Sequence, residues 1–244
     1  MEKLGTNYGG WYIPKNINLN KNSVLYSGGV GEDMSFDLLL NDRHNCKIIL
    51  IDPTARALNH YNEVKHFYND KSNFNFKGGI QPDYNECIKN LNPNFDNFEY
   101  INEGLWNKKD TLKFYKQTNE KYVSQSLIEN MFGENYDTIQ VNSIKNIMEQ
   151  RNHKQIDLLK LDIEGAEIEV MNQMLDDKIY PKYVLIEFDL LIKNKDPEEK
   201  TKKLIKRMIT EENYNMLIND NLNITFERSL FPNATTRKVF YNQI

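Results

Sequence analysis

Five acids stand at the ends of apolar runs, where a carboxylate is costly unless it is paired or in use. Asp162 and Glu164 close IDLLKLDI, Glu187 and Asp189 close YVLIEFD, and Asp52 closes CKIILID. A carboxylate so placed can act as a general base or, with neighbours, ligate a hard divalent cation. If a cation is used, Asp162, Glu187 and Asp189 are the set to hold it. The second chemical feature is the run Ser27-Gly28-Gly29-Val30-Gly31-Glu32-Asp33. Its glycines let a ligand lie against main chain beside a helix N-terminus. The spacing does not fit a phosphate-binding P-loop, and no lysine follows it. Glu32 and Asp33 would repel a pyrophosphate, so a zwitterion or a cation suits the turn better. Asp52 follows Gly31 at about the 20 positions expected of an acid that accepts the ribose hydroxyls of an adenosine cofactor. A helix N-cap before Pro53 would account for the aspartate, although not for its spacing.

The elements that must position these residues alternate. Val24–Tyr26, Cys46–Asp52, Phe98–Trp106, Ile156–Ile163 and Tyr183–Asp189 read as strands, and a further solvent-facing strand covers Thr111–Lys116. Helices follow the glycine turn, follow Pro53 with a stripe of Ala55, Leu58, Val64 and Phe67, occupy Tyr84–Leu91, begin after a Ser143 cap, and begin again at Gly165. Glu198–Glu212 reads as a charged helix. Thr138–Val141 is a short strand, Ser124–Ser126 a loop, and Met216–Ile218 with Ile224–Glu227 a closing hairpin. Such alternation calls for a mostly parallel sheet whose right-handed crossovers gather the loops at the strands' carboxyl ends, where open α/β sheets bind ligands.

Composition sets the limits. The 244 residues are 39% hydrophobic and carry a net charge of −4 from 31 basic and 35 acidic side chains, with no basic footprint for a nucleic acid. Cys46 and Cys87 have no zinc-like spacing and are expected to be free thiols. His44, His60, His66 and His153 show no metal spacing either. No apolar run approaches the ~20 residues that span a bilayer, and the N-terminus lacks an apolar h-region, so the expectation is a soluble, cytoplasmic protein without a membrane partner. Residues 1–22, including NYGGWYIP with Tyr8, Trp11 and Tyr12, form a lead-in that packs on the sheet or caps the site; residues 23–244 form one domain.

Three segments together, SGGVGEDMSFD, ILIDPT and LLKLDIEGAEIEVM, resemble the FkbM-type family of S-adenosylmethionine-dependent methyltransferases, with Asp162-Ile163-Glu164-Gly165-Ala166-Glu167 as the specific part. The likeness covers roughly residues 8–189. It implies a Rossmann-like class I methyltransferase fold with a mostly parallel seven-stranded sheet, helices on both faces and a C-terminal antiparallel hairpin. It further implies an O-methyltransferase acting on a sugar, a glycan or another small molecule. Ser27, Gly28, Gly29, Gly31, Asp52, Gly104, Leu105, Trp106 and Asp162 would then contact the cofactor, with Trp106 against the adenine. Ser27-Gly28-Gly29 departs from the acid common in relatives, which leaves Glu32 or Asp33 to hold the cofactor's ammonium, and Asp52 stands where a glutamate is common. Asp162 or Glu164 would take the acceptor's proton, with a divalent cation as an optional aid. Trp11, Tyr122, Ser124, Glu187 and Asp189 would shape the acceptor side. A nicotinamide-dependent oxidoreductase and a non-catalytic binding module are the competing readings, and the oligomeric state stays open.

Overall fold

The structure is a computed structural model that describes residues 1–70, 81–117, 124–129, 131–192 and 199–229. An N-terminal hairpin of β1 (Glu2–Leu4) and β2 (Trp11–Ile13) leads into β3 (Val24–Gly28), α1 (Ser35–His44), β4 (Lys47–Ile51) and α2 (Ala55–Asp70). The short α3 (Tyr84–Ile88) then precedes β5 (Phe98–Ile101), β6 (Gly104–Leu105), β7 (Asp110–Lys116), β8 (Gln125–Ser126) and β9 (Tyr136–Asn142). Next come α4 (Ile144–Gln150), β10 (Leu158–Leu161), α5 (Glu167–Asp176), β11 (Tyr183–Glu187), α6 (Asp189–Ile192), α7 (Lys200–Thr210), β12 (Tyr214–Asp220) and β13 (Asn223–Arg228).

Seven strands form the central sheet in the order β12-β13-β11-β10-β3-β4-β5. The five from β5 to β11 are parallel, while β13 runs antiparallel to both β11 and β12. Period-2 alternation divides the core between the two faces. Tyr26, Ile49, Leu159, Leu161 and Ile186 face α4, α5 and α7, whereas Leu25, Ile48, Leu50, Leu158 and Leu185 face α1, α2 and the N-terminal hairpin. Burial on both faces explains why these strands read as unbroken apolar runs. The chain order reverses between β3 and β10, which opens a crevice at their carboxyl ends. Both cysteines are free thiols, as expected. Among the described residues no helix is long and apolar enough to cross a membrane.

The architecture departs from the sequence reading in three places. Phe98–Trp106 is not one strand: the chain leaves the central sheet after Ile101, and Gly104–Leu105 pairs instead with β9 in a four-stranded sheet of order β6-β9-β7-β8. Gln125 and Ser126 are not loop; they pair with β7 through Lys116 and Tyr115. The buried stripe of α2 is turned, running through Ala57, His60, Tyr61 and Val64 while Ala55 is exposed, because His60 is drawn inward by a 2.7 Å hydrogen bond to the Tyr84 hydroxyl. The Ser143 cap is present, its hydroxyl accepting from the Asn146 N–H.

Candidate active site

The crevice at the β3–β10 reversal holds a cavity walled by two tight turns. The first follows β3. Gly29 and Gly31 have φ of +75° and +56°, in the left-handed region that glycine reaches without strain. A Cβ on Gly29 would collide with the Asp162 backbone, its carbonyl carbon 2.6 Å away, whereas a Cβ on Gly31 would meet nothing within 4 Å. Gly31 is therefore an open cradle and Gly29 a point of close approach between β3 and β10. The turn is gripped from two sides. Asp52 Oδ2 accepts from the N–H groups of Val30 (2.9 Å) and Gly31 (3.0 Å), and its Oδ1 accepts from the N–H and hydroxyl of Thr54 at 2.8 and 2.7 Å. From below, Lys160 Nζ donates to the Gly29 carbonyl at 2.7 Å.

The second turn is Asp162–Glu167. Glu164 takes φ +56° and Gly165 φ +103°, and a left-handed glutamate is held only where its surroundings over-determine it. Here they do. Buried Glu167 folds back so that Oε1 accepts from the N–H groups of Ile163 (2.9 Å) and Gly165 (3.1 Å), and the Ser126 hydroxyl donates to the Glu164 carbonyl at 2.5 Å. Asp162, Ile163, Glu164 and Ala166 thereby line the cavity. Burial pushes the Glu167 carboxyl up to about 8. Beside Asp162, Glu187 lies one step beyond the Leu161–Ile186 pair; burial, then the charges of Asp162 and Asp189, push its carboxyl up to about 9, and it shares a hydrogen bond with Asp162.

The N-terminal segment crosses the mouth. The Thr6 hydroxyl donates to Asp33 Oδ2 (2.5 Å) and accepts from the Gly9 N–H (2.9 Å), and Gly9 packs so closely on the Asp33 carboxylate that a Cβ would lie 2.6 Å from Asp33 Cγ. Tyr8 sits there with 68% of its surface exposed. Partial burial, then the charges of Asp162, Glu164, Glu187 and Asp33, raise its pKa.

The cavity brings together much of the expected set: Gly29, Gly31, Glu32, Asp33, Asp52, Gly104, Leu105, Ser124, Asp162 and Glu164 all line it. Glu32 is engaged with Arg56 at 2.6 Å, and Asp33 with Thr6 and with the Ser35 N–H, so both acids carry structural duties at the proposed ammonium position. Other expected residues stand apart. Ser27 and Gly28 lie beneath the floor, where Ser27 is buried beside Asp37 and a Cβ on Gly28 would strike Leu105 Cδ1 at 2.7 Å. Trp106 does not line the cavity; its N–H joins the β6–β9 ladder at the Asn142 carbonyl, and Leu105 takes the inward position. Trp11 is buried in the core, and Tyr8 and Gly9 face the cavity instead. Glu187 and Asp189 flank the site behind Asp162 without lining it, and Tyr122 lies outside the described residues. Among the described residues no group of three or more His, Cys, Asp or Glu is placed to hold a metal ion. Sequence reasoning passed over Phe114, Gln125 and Leu127 on the far wall, and Lys160. The signal for Lys160 was a lone lysine in the run LLKL; the others carried none.

A nucleoside-type ligand fits this geometry: an open glycine cradle, acids for a cationic end, and Ile51, Leu105 and Phe114 as apolar wall. The sheet, with its reversed closing hairpin, is that of the Rossmann-like methyltransferases. Residues 37–216 match the family described as the methyltransferase FkbM domain, so the chain belongs to the FkbM family of S-adenosylmethionine-dependent methyltransferases. No curated protein matches it. Solved structures similar to it include an rRNA methylase from Streptococcus thermophilus, at 11% identity over 86% of this chain and 89% of that one with a TM-score of 0.40. Another is the Methanococcus jannaschii fibrillarin pre-rRNA processing protein, at 10% identity over 86% of this chain and 69% of that one with a TM-score of 0.39. At that distance neither bears on substrate.

Proposed function

We propose that this methyltransferase modifies a hydroxyl on a neutral small molecule, a sugar or a glycan. The observation that carries the reading is the acidic character of the cavity beside the glycine cradle. Asp162 and Glu164 line it and Glu187 stands behind them, while the cations nearby, Arg56 and Lys160, are taken up by Glu32 and by the Gly29 carbonyl. Carboxylates accept hydrogen bonds from hydroxyls and disfavour anionic acceptors, and the chain's net charge of −4 argues in the same direction against a polyanion. The glycine turn and Asp52 would hold S-adenosylmethionine, which when bound supplies an electrophilic methyl group. Asp162 or Glu164 then receives the acceptor's hydroxyl proton, and the αL backbone at Glu164 fixes the direction its side chain leaves the turn. Ser124, Gln125 and Leu127 line the same cavity and would help to hold the acceptor in a fixed attack geometry.

The test is calorimetric titration with S-adenosylhomocysteine and separately with NAD, followed by radiolabelled methyl transfer to panels of neutral polyols, amines and carboxylates. Binding of the homocysteine product alone, transfer to polyols only, and a fall of about 100-fold in Asp162→Asn or Glu164→Gln support the reading. Transfer confined to amines or carboxylates overturns the hydroxyl assignment.

A further inference from the structure

Lys160 occupies the middle of a central parallel strand and is 5% exposed, among leucines at 159 and 161. Burying an ammonium costs several kcal/mol unless its surroundings repay it. Its surroundings come from four different elements. Its Nζ donates to the Gly29 carbonyl at 2.7 Å, lies 3.8 Å from Asp162 Oδ2, sits 5.6 Å over the Trp11 ring, and acts on the fully buried Asp37 of α1. Register places Lys160 opposite Ser27, one step short of the glycine turn. The turn is thus held between an ammonium on its carbonyl and the Asp52 carboxylate on its amides. Both grips meet on one peptide plane, whose Gly29 carbonyl accepts from Lys160 and whose Val30 N–H donates to Asp52, and Asp52 reaches on to the Gly31 N–H of the next peptide.

We propose that Lys160 is a positioning residue, whose ammonium locks the Gly29 carbonyl and the Asp162 carboxylate into one fixed relation and so presets the distance between the cradle and the acid beside it. Trp11, buried with its ring 5.6 Å from Nζ, covers the lysine from the N-terminal hairpin. The proposal rests on the reading of this cavity as the methyl-donor site, and its test separates the two.

Lys160→Met removes charge and donor at similar volume, and Lys160→Arg restores both. Amide hydrogen exchange across residues 29–33 is measured on the ligand-free protein, and S-adenosylhomocysteine affinity by calorimetry, with thermal midpoints as the control for global stability. The expected result is exchange faster by about ten-fold in Lys160→Met and affinity weaker by about ten-fold, the scale of one charge-assisted hydrogen bond, with Lys160→Arg within about three-fold of the parent. Wild-type exchange and affinity in Lys160→Met overturn it, as does an arginine variant no better than methionine at matched thermal midpoint. If Lys160→Met does not fold, Lys160→Gln, which keeps a donor without the charge, takes its place with the same expectations at smaller amplitude. A parent protein silent toward S-adenosylhomocysteine refutes the donor-site reading, while the exchange comparison still decides the role of Lys160.

Discussion

Replacing Gly29 by alanine puts the close approach of β3 and β10 to a quantitative test. The new Cβ would stand 2.6 Å from the carbonyl carbon of Asp162, with that carbonyl's oxygen nearer still, at a φ of +75°. Relieving the contact with that oxygen to a close carbon–oxygen distance of about 3.3 Å requires the two backbones to part by about 1.7 Å. That displacement stretches the 2.7 Å bond from Lys160 to the Gly29 carbonyl to about 4.4 Å, where it is no longer a hydrogen bond. The loss of a charge-assisted bond contributes about 1.5–3 kcal/mol and the left-handed backbone about 1–2 kcal/mol, so the total is about 3–5 kcal/mol. Gly31→Ala is the control. It bears only the backbone cost, about 1–2 kcal/mol, since nothing lies within 4 Å of its Cβ. For a chain of this size the thermal midpoint should fall by about 12 °C in Gly29→Ala and about 4 °C in Gly31→Ala. Calorimetric melts of both variants, with S-adenosylhomocysteine titrations on the folded proteins, make the comparison. Equal falls would refute the claim that Asp162 and the glycine turn are in enforced contact.

Asp52→Asn can keep acceptors for one pair of donors but not for both, and is expected to lose about 2–4 kcal/mol of stability together with about ten-fold in S-adenosylhomocysteine affinity. An affinity loss with an unchanged thermal midpoint would show that Asp52 acts on the ligand and not as a clamp on the turn. The buried acids set a pH dependence whose sign follows from the direction of their shifts. Burial raises Asp37 to about 6, Glu167 to about 8 and Glu187 to about 9, so the folded protein retains protons that the unfolded chain releases from about pH 4 upward. Their stabilisation is fully present below that pH and is lost as pH rises through 6 for Asp37 and through 8 to 9 for the two glutamates. Urea melts at pH 5.5, 7 and 8.5 should therefore show falling stability, with a shallower fall above pH 7 in Glu187→Gln; stability that rises across this range contradicts the burial of these carboxyls.

The parallel sheet was legible because burial on both faces leaves an unmistakable run of apolar residues, as in CKIILID and YVLIEFD. Asp162 and Glu164 were legible for the same reason, since an acid is conspicuous at the end of such a run. The direction of a side chain after a strand was not. The family resemblance put Trp106 against the ligand at the end of a strand read through it, but the chain leaves the central sheet at Asn102, and the partner that captures Gly104 and Leu105 is β9, more than thirty residues on. Asp52 illustrates another limit. Its spacing from the glycines suggested a ribose acceptor, but spacing cannot tell a carboxylate that awaits a ribose from one whose oxygens already accept from four protein donors. Lys160 was visible and unreadable, because the meaning of a lysine among leucines lies in a carbonyl 131 positions away.

That separation bears on how the chain is made. β3 lies at the middle of the sheet, but one of its two neighbours is β10, and the bonds joining them span 131 and 133 positions. During synthesis at about 5–20 residues per second, the glycine turn leaves the ribosome roughly 7–26 s before its partner in β10 can follow, with α1 and β4 emerging in between. For that interval β3 presents an apolar edge with unpaired N–H and C=O groups, the kind of edge that recruits other strands. Long-range parallel pairing is also slow to form once the whole chain is available. Yield of active enzyme should consequently depend on growth temperature and chaperone supply more than on the stability of the finished fold.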